Sequence, residues 1–76
     1  MRDDIEKMTV EATRQIIATR QPRRLFYTKE ARRLYIGVDN DSGEAWTEAF
    51  RTRRQCLRWL RGMEAEDCGA LGYGKK

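Results

Sequence analysis

The sequence predicts a small α+β domain with the element order α-β-β-β-α, in which a three-stranded antiparallel sheet carries both helices on one face. Three patterns indicate this class: helical spacing of apolar residues over the first twenty positions, alternation of apolar and polar residues after Pro22, and a second helical pattern after Thr52. A chain of 76 residues allows one domain. We expect this domain to comprise residues 1–63, followed by a polar, glycine-containing and flexible tail at 64–76.

The first twenty residues are predicted to form the first helix. Asp3 or Asp4 is expected to cap it, because a carboxylate accepts hydrogen bonds from the unpaired amides of a first turn. Pro22 is expected to end it, since proline has no amide hydrogen and disfavours a helical residue before it. The apolar residues of this helix share one stripe at helical spacing: Ile5, Met8, Ala12 and Ile16.

The middle of the chain has the two-residue period of β-strands. Strands are predicted at 25–28, 34–38 and 45–50. The polar segment 29–32 is short enough for a hairpin, and the Asx- and Gly-containing segment 39–43 has the composition of a turn. Because each connection is short, the three strands are expected to be antiparallel neighbours.

Thr52 is a favourable N-cap for a second helix that is expected to run from Arg53 to about Met63. Its apolar side is predicted to join the first helix and the central strand in a single core. The residues assigned to this core are Ile5, Met8, Ile16, Leu34, Ile36, Val38, Cys56, Trp59 and Leu60.

The third strand leaves two alternatives for its aromatic residues. Trp46 and Phe50 alternate with small residues, so one set faces the helices and the other faces solvent. Burial of both aromatic residues, with Glu48 at the edge, is favoured. The alternative exposes both and would create a partner-binding patch.

The composition argues against an enzyme or a metal protein. The chain has two Cys and no His, which supplies neither a four-ligand zinc site nor the usual base for a Ser or Cys nucleophile. We expect no metal, no cofactor and no turnover. Cys56 is expected in the core and Cys68 exposed in the tail, both as free thiols. No apolar run is long enough to span a membrane and no secretion signal is recognised, so a cytoplasmic location is expected.

Charge alternates along the chain in blocks. Residues 20–35 and 51–63 each have a net charge of +5, whereas residues 36–50 between them have −4. The basic blocks contain aromatic residues and many arginines, a composition that suits phosphate binding and base stacking in DNA or RNA. The predicted nucleic-acid-binding residues are Arg23, Arg24, Arg32, Arg33, Arg51, Arg54, Arg58 and Arg61. Helical spacing further predicts that Arg54, Arg58 and Arg61 form one ridge. Such a row of charges is also typical of a helix face that contacts only solvent.

A protein-directed function is the alternative. Small proteins with patchy charge and no catalytic chemistry are common among phage and mobile-element products that block host defence enzymes, including anti-CRISPR proteins. The partner would then be a host protein or a nucleoprotein complex. The residues assigned to this surface are Asp39, Asp41, Glu44, Trp46 and Glu48.

Two families share part of this pattern. The order α-β-β-β-α resembles that of double-stranded-RNA-binding domains, although the Lys-Lys-rich start of their last helix is replaced here by Arg51, Arg53 and Arg54. The run Trp46-x-x-x-Phe50-x-Thr52 before a helix is similar to the strand-to-helix junction in the sheet-reading domains of plant ethylene-response factors and conjugative-transposon integrases. Both are resemblances of fold, which does not by itself imply function.

Overall fold

The computed structural model describes residues 4–71, and their element order is β-α-β-β-β-α. The strands and helices are β1 (Ile5–Lys7), α1 (Val10–Thr19), β2 (Leu25–Ala31), β3 (Leu34–Asp39), β4 (Trp46–Phe50) and α2 (Arg53–Leu60), followed by a short 3-10 helix at Glu66–Cys68. The α+β class is confirmed. The predicted order α-β-β-β-α is wrong, and with it the order expected from double-stranded-RNA-binding domains.

The sheet has four strands in the order β1-β2-β3-β4, with β1 parallel to β2 and the other pairs antiparallel. The predicted three-stranded antiparallel sheet is therefore wrong. The fourth strand comes from residues 5–7, which the helical spacing of Ile5 and Met8 had assigned to the first helix. Ile5 pairs with Leu25 in register, and its side chain packs against a cluster that includes Leu25 of β2 and Cys56 of α2.

Thr9 sets the start of α1. Its Oγ1 accepts a hydrogen bond from the amide of Ala12 at 3.0 Å, which satisfies one of the unpaired amides of the first turn. Asp4 is exposed and precedes β1, and Asp3 lies outside the described residues, so the cap predicted at Asp3 or Asp4 is not the one used. The helix ends at Arg20, which adopts a left-handed conformation with φ 59°.

The two helices pack on opposite faces of the sheet. Successive side chains of a strand point to opposite faces. On β2, Phe26 packs in a cluster with Ile16 of α1, whereas Leu25 and Tyr27 pack in a cluster with Cys56 of α2. The prediction that both helices share one face is therefore wrong.

Two cores replace the single predicted core. The buried residues of the core under α2 are Leu25, Tyr27, Phe50, Cys56, Leu60 and Cys68, with Ile5 and Trp59 packed against them. The core under α1 is smaller and consists of Ile16, Phe26 and Val38, with Met8 packed against it. Leu34 and Ile36, which were also assigned to the core, are half-buried and belong to neither cluster.

The strand β4 follows neither alternative for its aromatic residues. Phe50 is fully buried, whereas Trp46 is 62% exposed, so the favoured prediction is wrong for Trp46. Ala49, which points to the other face, is also fully buried. With a helix on each face, both sides of β4 contain buried positions, and exposure depends on the position along the strand.

Turns join β2 to β3 and β3 to β4 as predicted, but the first lies later than the predicted segment 29–32, because β2 continues to Ala31. Residues 32 and 33 connect β2 to β3 in a tight hairpin, and Arg33 adopts φ 58° there. The longer turn between β3 and β4 is organised by Asn40, which is fully buried. Its Nδ2 donates to the carbonyl of Pro22 at 2.8 Å, and its Oδ1 accepts from the amide of Ala45 at 3.0 Å. The first bond joins the turn to the segment that precedes β2, and the second lies within the turn itself.

The predicted cap of α2 is confirmed, but the helix is shorter than expected. Thr52 and Gln55 form a capping box, in which each side chain accepts a hydrogen bond from the backbone of the other. The helix ends at Leu60 rather than near Met63.

The chain after α2 returns to the sheet. Cys68 is 3% exposed and belongs to the core under α2, so the prediction that it is exposed is wrong. The amide of Leu71 donates to the carbonyl of Ala49 at 2.9 Å, which places this segment beside β4. The rest of the predicted tail, residues 72–76, lies outside the described residues.

Candidate functional site

The strand register brings two basic segments to the same end of the sheet. The hairpin turn at residues 32–33 follows directly on the pair Ala31–Leu34. The next residue of β3, Tyr35, pairs with Phe50, the last residue of β4, so the junction between β4 and α2 lies beside the hairpin. We call this region the cationic end, and it consists of Lys29, Arg32, Arg33, Arg51, Arg53 and Arg54.

All six side chains of the cationic end belong to exposed residues. Among residues 29–33 and 51–54, Glu30 is the one acid, so these two segments have a net charge of +5. The ammonium of Lys29 lies 5.8 Å from the ring centroid of Tyr35, a cation–π distance that holds this charge at the same end. The arrangement can bind phosphate or carboxylate groups through several charge-assisted hydrogen bonds.

The start of α2 strengthens the positive potential there. A helix N-terminus carries a partial positive charge, and acidic residues are the ones that stabilise it. The first turn of α2 has no acid, and instead contains Arg53 and Arg54. These cations cost some helix stability, which an anionic partner would recover.

The ridge predicted on α2 is only partly at the cationic end. Arg54 is in its first turn, Arg58 is in its last turn, and Arg61 is the residue just past its end. All three are exposed. The Nε of Arg58 donates to the sulfur of Met63 at 3.4 Å.

Two predicted nucleic-acid-binding residues, Arg23 and Arg24, lie at the opposite end of the sheet, just before β2. Arg24 forms an exposed ion pair with Glu6, with 3.0 Å between its Nη1 and the carboxylate Oε1. The guanidinium of Arg23 lies against Gly43 in the turn between β3 and β4: its Nε is 2.9 Å from where a Cβ would stand. The structure separates these two arginines from Arg32, Arg33, Arg51 and Arg54.

The acidic residues of the alternative surface surround the turn between β3 and β4. Asp41 and Glu44 are exposed there, and Asp39 pairs in register with the exposed Trp46. Glu48 does not join them: it lies opposite Gly37 in the middle of β4. Its Oε1 is buried without a hydrogen-bond partner among residues 4–71.

Sequence reasoning omitted two members of the cationic end from its list of candidates, Lys29 and Arg53. Both lie in the basic blocks, so the charge pattern contained the signal. What was missing was the register, since only the pairing of Tyr35 with Phe50 shows that the two blocks meet.

The thiols show no sign of being reactive. Burial raises the pKa of Cys56 to about 12, and the neighbouring Cys68 adds to this effect. Burial also raises the pKa of Cys68. The nucleophilic form of a cysteine is the thiolate, which these shifts disfavour.

The described part of the chain, residues 4–71, has neither a metal-binding cluster nor a membrane-spanning helix. These residues contain no group of three or more Cys, Asp or Glu side chains placed to hold a metal ion. In the same part of the chain, no helix has the length and apolar character needed to cross a membrane.

No family model matches the chain, no curated protein matches it, and no solved structure matches it. Its function therefore has to be inferred from the geometry and charge of the cationic end.

Proposed function

We propose that this protein is a non-enzymatic nucleic-acid-binding module that contacts the phosphates of DNA or RNA through its cationic end. The observation that carries the proposal is the meeting of the two basic segments where Tyr35 pairs with Phe50. Exposed arginines with a positive helix end between them form an anion-binding surface, and a polyanion satisfies several of them at once.

The test compares two triple variants that remove the same charge from opposite ends of the sheet. The first is Arg32→Gln, Arg51→Gln and Arg53→Gln, within the cationic end. The matched control is Arg20→Asn, Arg23→Gln and Arg24→Gln, in which Asn suits the left-handed conformation of residue 20.

Affinity for a 20-base-pair DNA duplex is measured as a function of salt concentration. Each phosphate contact contributes about 0.9 to the slope of log K against log salt, so the first variant should flatten the slope by ~2–3 units. The control should change the slope by less than about one unit, because its three arginines lie away from the cationic end and make no phosphate contact in this proposal. The loss of general electrostatic attraction is the same in both variants. Thermal unfolding verifies that both remain folded. Equal slopes in the two variants would contradict the assignment of the cationic end.

The second candidate function is that of a protein-directed inhibitor or adaptor acting on a host protein. The specific observation that favours it is the exposed Trp46, beside the acidic turn. The same titration separates the two candidates, since a protein-directed inhibitor needs no affinity for nucleic acid. Absence of salt-dependent binding by the wild-type protein would move the assignment to the surface around Trp46.

A further inference from the structure

A groove lies between α1 and the sheet, on the face opposite α2. Its volume is about 250 Å³. The wall from α1 includes Val10, Arg14 and Ile17, and the floor includes Ile36 and Thr47 from neighbouring strands. The groove is open to solvent, and Ile17 on its wall is 38% exposed.

The groove extends toward the hairpin turn of the cationic end. Glu30 lines it and lies two residues before Arg32, so the hairpin turn borders one end of the groove. Arg14 adds a cation to the wall. A ligand in the groove would therefore have apolar surface beneath it, with the cation of Arg14 and the carboxylates of Glu30 and Glu48 around it.

From this arrangement we infer that the groove binds an unpaired base of a single-stranded nucleic acid whose phosphates lie on the cationic end. The inference rests on the proposed function and specifies its ligand. A site of about 250 Å³ is below the roughly 300–1,000 Å³ of clefts that hold drug-sized ligands, and suits one heterocyclic ring. A paired base is stacked within its duplex and cannot enter a recess, whereas single-stranded bases are free to turn outward.

The polar groups of the groove indicate which bases it prefers. The carboxylate of Glu30 accepts hydrogen bonds, and an exposed amino group such as that of cytosine donates them. Thymine has no amino group. Among the pyrimidines, whose single ring suits the volume of the groove, cytosine is therefore expected in preference to thymine.

The experiment measures the affinities of the wild-type protein for a single-stranded (dC)12, a single-stranded (dT)12 and a 12-base-pair duplex at one salt concentration. The (dC)12 strand should bind about tenfold more tightly than the duplex, the gain from burying one base against the aliphatic side chains of the groove. Ile36→Phe fills the groove without changing charge and should remove this preference. Met63→Phe is the matched control, at a residue that is 40% exposed and does not line the groove, and should leave the preference intact.

Glu30→Gln provides a second test that does not alter packing, because Glu30 is exposed. It should reduce the preference for (dC)12 over (dT)12 severalfold and leave the affinity for the duplex unchanged or slightly higher.

Equal affinity of the wild type for single strand and duplex would overturn the groove assignment. It would also be overturned if Ile36→Phe kept the preference for (dC)12 over the duplex and Glu30→Gln kept the preference for (dC)12 over (dT)12. The cationic end would stand in that case, provided that its triple variant still weakens binding to all three oligonucleotides. Failure of the wild type to bind any of them would overturn both proposals.

Discussion

The two faces of the sheet differ in how completely a helix covers them. The shorter helix, α2, has 8 residues and contacts β2, β3 and β4, whereas the longer helix, α1, has 10 residues and lies mainly against β2. Connectivity explains the difference. α1 joins β1 to its parallel neighbour β2 and is held at that edge, while α2 leaves β4 at the other edge and packs back across β3.

Gly37 strengthens the contact on the α2 face. A Cβ at this position would stand 2.9 Å from the Sγ of Cys56 and 3.0 Å from the ring of Trp59, so only glycine permits so close an approach. The ring of Trp59 also lies 5.8 Å from that of Phe50. The larger of the two cores thus lies on the α2 face. The α1 face, which its helix covers only in part, contains the open groove.

The largest expected effect compares one residue from each face. Phe50→Ala should reduce the free energy of unfolding by ~3–5 kcal/mol, because it empties the centre of the core under α2. Ile36→Ala should cost about 1 kcal/mol or less, since its side chain lines an open groove. Urea-induced unfolding of both variants measures the two losses. Similar losses would show that the two faces contribute equally.

Gly37→Ala should cost ~1–3 kcal/mol through overpacking against α2. In a double-mutant cycle with Cys56→Ala, the combined cost should be less than the sum, because the second change removes the closest clashing atom. Thr47→Ile is the control on the other face, where an added methyl group enters the groove, and it should stay within about 0.5 kcal/mol. An additive cycle would contradict the close contact between α2 and β3.

The smallest expected effect is a loss of stability at alkaline pH. The folded pKa of Cys56, about 12, is above its ordinary value of 9.0 because burial disfavours the thiolate. Between these values the unfolded chain loses the thiol proton and the folded protein keeps it. The contribution of Cys56 to the free energy of unfolding is therefore fully present below pH 9 and is lost as the pH rises.

Between pH 7.5 and 9.5 this thiol should account for about 0.8 kcal/mol of lost unfolding free energy. The measurement is the same denaturant titration at both pH values, for the wild type and for Cys56→Ala. The variant should lose less stability over this interval, and an equal loss in both proteins would show that Cys56 is not held in the dry interior of the α2 face.

Local sequence patterns were sufficient to predict features that depend on a single helix, strand or turn. The N-cap at Thr52, the presence of a hairpin between β2 and β3 and the α+β class follow from neighbouring residues alone. The start of the chain misled because Ile5 and Met8 are at helical spacing, although they pack against different cores on opposite faces of the sheet. The competing signal was Thr9, an N-cap residue four positions after Ile5.

The candidate site was predictable in composition but not in arrangement. The two basic blocks are evident in the sequence, and Arg32, Arg33, Arg51 and Arg54 were recognised within them. Their separation from Arg23 and Arg24 depends on which end of β2 each segment flanks. Pairing between strands is a long-range property that no window of sequence contains.

The sequence by itself determined the alternation of charge along the chain and the start of α2 at Thr52. The tertiary structure decided that β1 joins the sheet, that the helices lie on opposite faces and that the two basic segments meet. The physical reason is that charge and capping act between neighbours in the chain, whereas the placement of a helix over a sheet depends on which strands it connects and how much apolar surface each face can bury.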